Sequence, residues 1–571
     1  MRSRIFEVTL RRLVVAASVL ALGACVHIAA GRQPTTQAAT GATPAPAPKP
    51  GDGAAGNPEA APKATLNPGA LVTEPPDGKW LVDEQGRQYF LMSMTNDAAT
   101  YEWVGTDKKQ LRTAYGLTFD VADYDDKTIH LKLYRVEPTP SPARHSRPPE
   151  EIAAEYASAT PSADRLIFRS FADGLPTAGQ WREGFSVKDV NGDSQLDIVH
   201  GPARKGNFRP QLFLGDGAGH WRPWSTVSFP SIPFDYGDAD SADLNGDGKA
   251  DLVLASHLRG ITAMIGDGNG HFTPWTTGIE FAAKGDPTTG ALAFSSRAIK
   301  IADWNGDGRL DVVALSEGPS LLGGREFKVA PNPHGLVVYL NNGDGTWQKT
   351  TGGENARNFF GDALEVADID GDGRLDVLVS SGVQGFKRLV QRGLPDGGWE
   401  AVLVEPIRDK AVVGGVAAGD VDHDGKTDLI IGYQSFEGGV WRTGVDVLYA
   451  VPSGGWRRVA LASEESMAGI FGLALGDLDG DGASDLVALT GEGAGWVFLG
   501  DGKGGFVREQ GDELSSPACR GTHVELVDLD HDGKAEVVAE FAGEAQGLLP
   551  QQKSCESGGR LQAWKAFPRP R

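Results

Sequence analysis

The nonapeptide DIDGDGRLD, beginning at Asp368, sets aspartates at positions 1, 3, 5 and 9. Oxygen ligands at positions 1, 3 and 5 of a tight loop converge on one centre. Glycine at position 6 permits the bend, the carbonyl of position 7 can turn inward, and a last carboxylate closes the shell. Hard oxygens in this number suit Ca2+. A softer metal would draw on His or Cys, and neither stands at a ligand position. Until a cation neutralises them, the four acids repel one another.

The phrase occurs seven times. Position 1 is Asp189, Asp243, Asp303, Asp368, Asp420, Asp477 and Asp528. Position 3 is Asn191, Asn245, Asn305, Asp370, Asp422, Asp479 and Asp530. Position 5 is Asp193, Asp247, Asp307, Asp372, Asp424, Asp481 and Asp532. The backbone carbonyls of position 7 come from Gln195, Lys249, Arg309, Arg374, Lys426, Ala483 and Lys534. Position 9 is Asp197, Asp251, Asp311, Asp376, Asp428, Asp485 and Glu536. One Ca2+ in each copy is the expectation. Two copies depart from the pattern: Ser194 replaces the glycine in the first, and Glu536 is a longer ligand in the last. An EF-hand needs a bidentate Glu at position 12. Here that position holds His200, Leu254, Ala314, Val379, Ile431, Ala488 and Ala539.

The flanks are strands rather than helices. VVAL, VLVS, LIIG and LVAL after the loops are short apolar runs, as in strands buried on both faces. A glycine turn with an aromatic follows, as in LFLGDGAGHW at Leu212, AMIGDGNGHF at Ala263 and VFLGDGKGGF at Val497, which reads as a hairpin. Each repeat thus offers four strands: A before the acidic loop, B after it, and C and D in the hairpin. Four-stranded units repeated radially make a β-propeller, so the fold class is mainly β. The last repeat supplies A, B and a weak C (GGRLQAWKAF). LIFRSF at Leu166 has no partner in the first repeat. It is expected to complete the seventh blade and close the ring. The acidic phrase with its glycine hairpin resembles the FG-GAP/VCBS repeats, which form the propeller of integrin α-subunits and of many bacterial surface proteins. The resemblance covers residues 166–571, and Phe360-Gly361 and Phe471-Gly472 match the name-giving dipeptide. It implies Ca2+ in the A–B loops and seven blades.

The chain begins as an export signal. Arg2, Arg4, Arg11 and Arg12 precede the apolar LVVAASVLALGA, too short for a comfortable membrane span. Leu22-Gly23-Ala24-Cys25 resembles the bacterial lipobox, whose cysteine is lipidated. Val26 in place of aspartate implies passage to the outer membrane in a Gram-negative cell. Residues 26–65, rich in Ala, Pro, Thr and Gly, read as a tether. Residues 66–137 read as a small β-domain with two hairpins, WLVDEQGRQYFLMSM and LTFDVADYDDKTIHLKLYRVE, and 138–165 as a linker. Disulfides persist in an exported protein, and Cys519 and Cys555 are expected to pair.

The net charge of −22 argues against nucleic acid as a partner. No G-x-S-x-G, H-E-x-x-H, C-x-x-C or P-loop occurs. Antiparallel strand order puts the A–B loops and C–D hairpins on one face, and the B–C loops and blade crossovers on the other. Loops on a rigid scaffold are the usual place for function. The B–C loops gather Arg204, Lys205, Arg209, Arg325, Lys387 and Arg388, with Phe208, Phe386 and Trp441 among them. The expectation is a monomeric, calcium-stabilised outer-membrane lipoprotein whose B–C face binds a protein or an anionic glycan. A carbohydrate-active enzyme of polysaccharide-lyase type on the same scaffold is the alternative, and a structural envelope component the third reading.

Overall fold

The computed structural model describes residues 149–570, except 159, 204–208, 258, 280–295, 318–334, 353–358, 517–518, 544–554 and 556–558, together with strands within 80–132. The signal segment, Cys25 and the tether at 26–65 lie outside the described residues. The chain divides into two units, the smaller of them centred on residues 27–139.

The smaller unit carries a six-stranded sheet. Both expected hairpins form, Trp80–Val82 with Gln88–Tyr89 and Thr118–Tyr124 with Thr128–Lys132. A third pair, Tyr101–Val104 with Gln110–Thr113, was not anticipated. The first strand closes the set by pairing parallel with the last.

The larger unit is a seven-bladed β-propeller. The innermost strands A are Phe185–Lys188, Ala239–Ala242, Ser296–Ala302, Leu364–Ala367, Ala411–Gly419, Ile470–Gly476 and Arg520–Val527. Each touches the next, and the seventh touches the first, so the ring is closed. Seven apolar clusters fill the seven blade-to-blade interfaces. This explains the apolar runs after the acidic loops. In strand B of the second blade, Asp251–Ser256, Val253 and Ala255 pack toward the third blade while Leu252 and Leu254 pack toward the first. A strand pressed from both sides carries no polar stripe.

Ring closure follows the expectation. Leu166–Ser170 pairs antiparallel with strand C of the seventh blade, Gly559–Pro568, and supplies its missing strand D. Cys519 and Cys555 form the disulfide in that blade. The expected linker at 138–165 is in part structured. Pro149–Tyr156 is a helix whose Ile152 and Tyr156 pack on Ala411 and Tyr433 of the fifth blade, and Ser162–Ala163 adds a fifth strand to the sixth. Its Pro-rich start hid these elements, because their contacts are made with residues about 250–350 positions away.

Candidate metal centres and the central channel

The acidic loops share one geometry. The position-1 aspartate accepts the amide of position 6 at 2.8–3.0 Å in all seven. The position-9 carboxylate is fully buried in every blade. One of its oxygens accepts the amide of position 2 at 2.8–3.2 Å. In the first six blades the other accepts an amide of strand C at 2.7–3.0 Å, so this residue ties the loop to the hairpin. Positions 4 and 6 both take left-handed backbone. Ser194, His423 and His531 are the non-glycine residues that do so here. A Cβ at Gly248, Gly308 or Gly373 would meet no atom within 4 Å, so the dihedral, not space, selects glycine. The position-4 requirement was missed in the sequence, although glycine recurs there.

The donors fit a hard dication. In blades four to seven, one oxygen each from positions 1, 3 and 9 lies within 4.8 Å of the others. Burial, joined by the neighbouring loop acids, pushes Asp197 and Asp485 up to about 7. Burial likewise pushes Asp251, Asp311, Asp376 and Asp428 up to about 6. These carboxylates resist ionisation because they are buried, and a divalent cation would reverse that. Ca2+ there would be held by positions 1, 3, 5 and 9 with the position-7 carbonyl. Adjacent loops are linked: Thr427 Oγ1 donates to the Asp368 carbonyl at 2.8 Å, and Lys534 Nζ to the Asp479 carbonyl at 2.7 Å.

The seven inner strands also surround a cavity of about 280 Å3. Its lining is one-sided. Blades five and six present small and apolar residues, among them Gly414, Ala417, Phe471 and Leu473, whereas the others present Glu183, Lys188, Asp238, Lys300, Asp362, Glu365, Arg520, His523 and Glu525. Several acids have a structural duty. Strand A is an edge, so its channel-side amides need acceptors. Asp238 takes Ile299 N at 3.1 Å, Asp240 takes Ile301 N at 2.9 Å, and Glu525 takes Val187 N at 3.2 Å, each from the preceding blade. At the B–C end, Arg297 is buried against Glu183, Glu317 and Asp362 at 3.1, 2.7 and 2.8 Å. Burial pushes Asp238 and Asp362 up to about 7. Sequence reading overlooked this network. Its signal was charge within the strand just before the acidic phrases, as in SRAIKIAD and GTHVELVD.

The expected ligand-face residues are dispersed. Arg204, Lys205, Phe208 and Arg325 lie outside the described residues. Arg209 and Arg388 are exposed. Lys387 is paired with Glu405 at 3.1 Å and Asp409 at 2.8 Å, and Phe386 stacks on Phe359 at 5.0 Å, which turns both toward packing. Trp441 lies 4.9 Å from Phe436 beside the B–C turn of the fifth blade, where Phe436 is 44% exposed.

Seven blades with an acidic loop between strands A and B, closed by a strand from the N-terminal side, define a repeat-built propeller of the acidic-loop type. The FG-GAP-like repeat profile matches residues 189–254, 243–314, 323–379 and 445–539, and the FG-GAP repeat profile matches 413–441. The chain belongs to the FG-GAP-repeat family. No curated protein matches it by sequence. Among solved structures, BBS1N in complex with ARL6DN, soaked with lead, is similar at 11% identity and a TM-score of 0.40, over 72% of this chain and 97% of that one. The Penicillium chrysogenum α-L-arabinanase complexed with arabinobiose is similar at 13% identity and a TM-score of 0.36, over 60% and 95%. Neither likeness carries a functional argument. Among the described residues no helix is long and apolar enough to cross a membrane.

Proposed function

We propose that the chain is a calcium-stabilised binding module, held at the cell envelope by a lipid on Cys25, that takes a protein or an anionic glycan on its B–C face. One observation carries the choice of face. Phe436, exposed, and Trp441 form an aromatic pair beside the B–C turn of the fifth blade, on the face that also bears exposed Arg388. Exposed aromatics with arginine are the usual anchors of recognition surfaces. The opposite face is occupied by acidic loops and tight glycine turns.

The test is binding of the calcium-loaded protein to arrays of anionic and neutral glycans and to envelope proteins. Phe436→Ser with Trp441→Ser, and Arg388→Glu separately, should abolish binding without moving the melting temperature. Unchanged binding in both would remove the assignment of this face. Palmitate labelling lost in Cys25→Ser tests the anchor.

The alternative is a carbohydrate-active enzyme. It is favoured by Asp238 and Asp362, raised to about 7, facing the same cavity as His523 and Arg520. Release of new sugar ends from a polysaccharide, lost in Asp362→Asn, would establish that reading in place of the first.

A further inference from the structure

The seventh acidic loop differs from the other six in what faces it. Lys565, on strand C, places its ammonium against Asp530, at 2.7 Å from Asp532 Oδ2 and at 3.1 Å from Glu536 Oε1. These are positions 3, 5 and 9 of the loop. Its side chain is 14% exposed.

The cross-strand register makes this a property of the chain. The paired register of strands B and C begins one residue past position 9; extended by that residue, it sets Leu214, Ile265, Leu340, Arg392, Tyr449 and Leu499 opposite position 9 in blades one to six. In the seventh, where Val537 pairs with Trp564, it sets Lys565 opposite Glu536. Directly opposed side chains share one face of the sheet, so a lysine there is aimed at the carboxylates. Arg392 is the other cation of the set, and its guanidinium pairs with Glu400 on strand D, 3.7 Å from Asp370. The position-9 residue changes in step. In six blades it is aspartate, with its second oxygen on a strand-C amide; in the seventh it is glutamate, with that oxygen toward Lys565.

We infer that the Lys565 ammonium takes the place of the metal in the seventh blade, which is therefore closed without Ca2+. The seven acidic loops then hold at most six ions, one in each of blades one to six. The blade concerned is the one where the two ends of the ring meet. Strand C there pairs with Leu166–Ser170, and the same blade holds the disulfide between Cys519 and Cys555. Both fastenings at the closure, ammonium and disulfide, are independent of metal. Loss of Ca2+ would loosen the other blades and leave the ring shut.

The inference rests on reading the first six loops as calcium cages, and the experiment separates the two. Bound calcium per full-length chain is counted by native mass spectrometry for the wild type and for Lys565→Met. The expected result is one more ion in the variant, and a lower melting temperature for the variant in chelator that added Ca2+ restores. Equal counts would overturn the inference. Should neither protein bind Ca2+, the cage reading of the six loops fails. The melt in chelator then decides for Lys565 alone: a lowered midpoint supports its role and an unchanged one refutes it. Should Lys565→Met not fold, Asp530→Ala and Asp370→Ala replace it. Asp370→Ala, which removes the position-3 oxygen altogether, should remove one ion and Asp530→Ala none; loss of an ion in Asp530→Ala would overturn the inference.

Discussion

Arg408 meets Asp446 through two contacts of 2.8 Å, Nε to Oδ2 and Nη2 to Oδ1, with both side chains at most 1% exposed. The pair joins the crossover from the fourth blade to strand C of the fifth. The guanidinium also lies 4.1 Å from the Tyr156 ring and 4.7 Å from that of Tyr433, so one cation fastens the N-terminal helix, the crossover and the blade. Removing Asp446 leaves the buried guanidinium only Glu155, 3.5 Å away, and breaking such a buried pair costs about 3–5 kcal/mol. Asp446→Ala should therefore lower stability to urea by that amount. Arg408→Met combined with Asp446→Leu should cost less than the single change, since an apolar pair leaves no charge unpaired.

Chelation is expected to lower the melting temperature, and Ca2+ to restore it. A site held at 100-fold excess over its Kd contributes about 2.7 kcal/mol. Asp372→Asn, which alters position 5 of the fourth loop, should reduce the midpoint in Ca2+ and leave the midpoint in chelator unchanged. Calorimetry in both buffers checks this.

Stability should fall in acid partly through Glu183. Burial works against its ionisation, but Arg182, Arg297 and Arg520 outweigh it and hold the carboxyl at about 2 against an ordinary 4.5. A depressed carboxyl stabilises the fold fully above its unfolded value. That contribution is lost as pH falls from about 4.5 toward 2, and is on the order of 3 kcal/mol. Glu183→Gln should flatten this part of the pH profile in urea titrations.

Ring closure depends on Leu166, 4% exposed, which packs with Leu514 and Ala566 in the interface between blades six and seven. Leu166→Ala should cost about 2–5 kcal/mol and speed proteolysis, seen as earlier fragments on a gel.

The disulfide closes a span of 36 residues. In the chain-entropy model such a loop is worth about 3–4 kcal/mol. Cys519→Ser with Cys555→Ser should shift the urea midpoint accordingly, and reductant should give the same shift in the wild type only.

The metal loops were legible because their chemistry is short-range. Positions 1, 3, 5 and 9 lie within one turn of chain, so spacing alone brings Asp368, Asp370 and Asp376 to one centre. The number of blades and the role of Leu166–Ser170 in closure followed from repeat counting, and the pairing of Cys519 with Cys555 from reading the chain as exported. The helix at 149–156 was not legible, since Tyr156 gains its partners Tyr433 and Ser435 from the fifth blade. Lys387 and Phe386 looked like a recognition pair in the sequence; their partners Asp409 and Phe359 are set by the folding of the fourth blade.

The amino-acid sequence by itself determined the repeat, its four-strand unit, the ring and the oxygen cages, because each is written in residues a few positions apart. Tertiary structure alone decided which cage is filled from within. Lys565 reaches Glu536 only once strands B and C are in register, 29 residues apart in the chain. It likewise decided the charged lining of the channel. There Arg297 gathers Glu183 and Asp362 from two other blades, and only closing the ring brings those distant side chains within reach of one guanidinium.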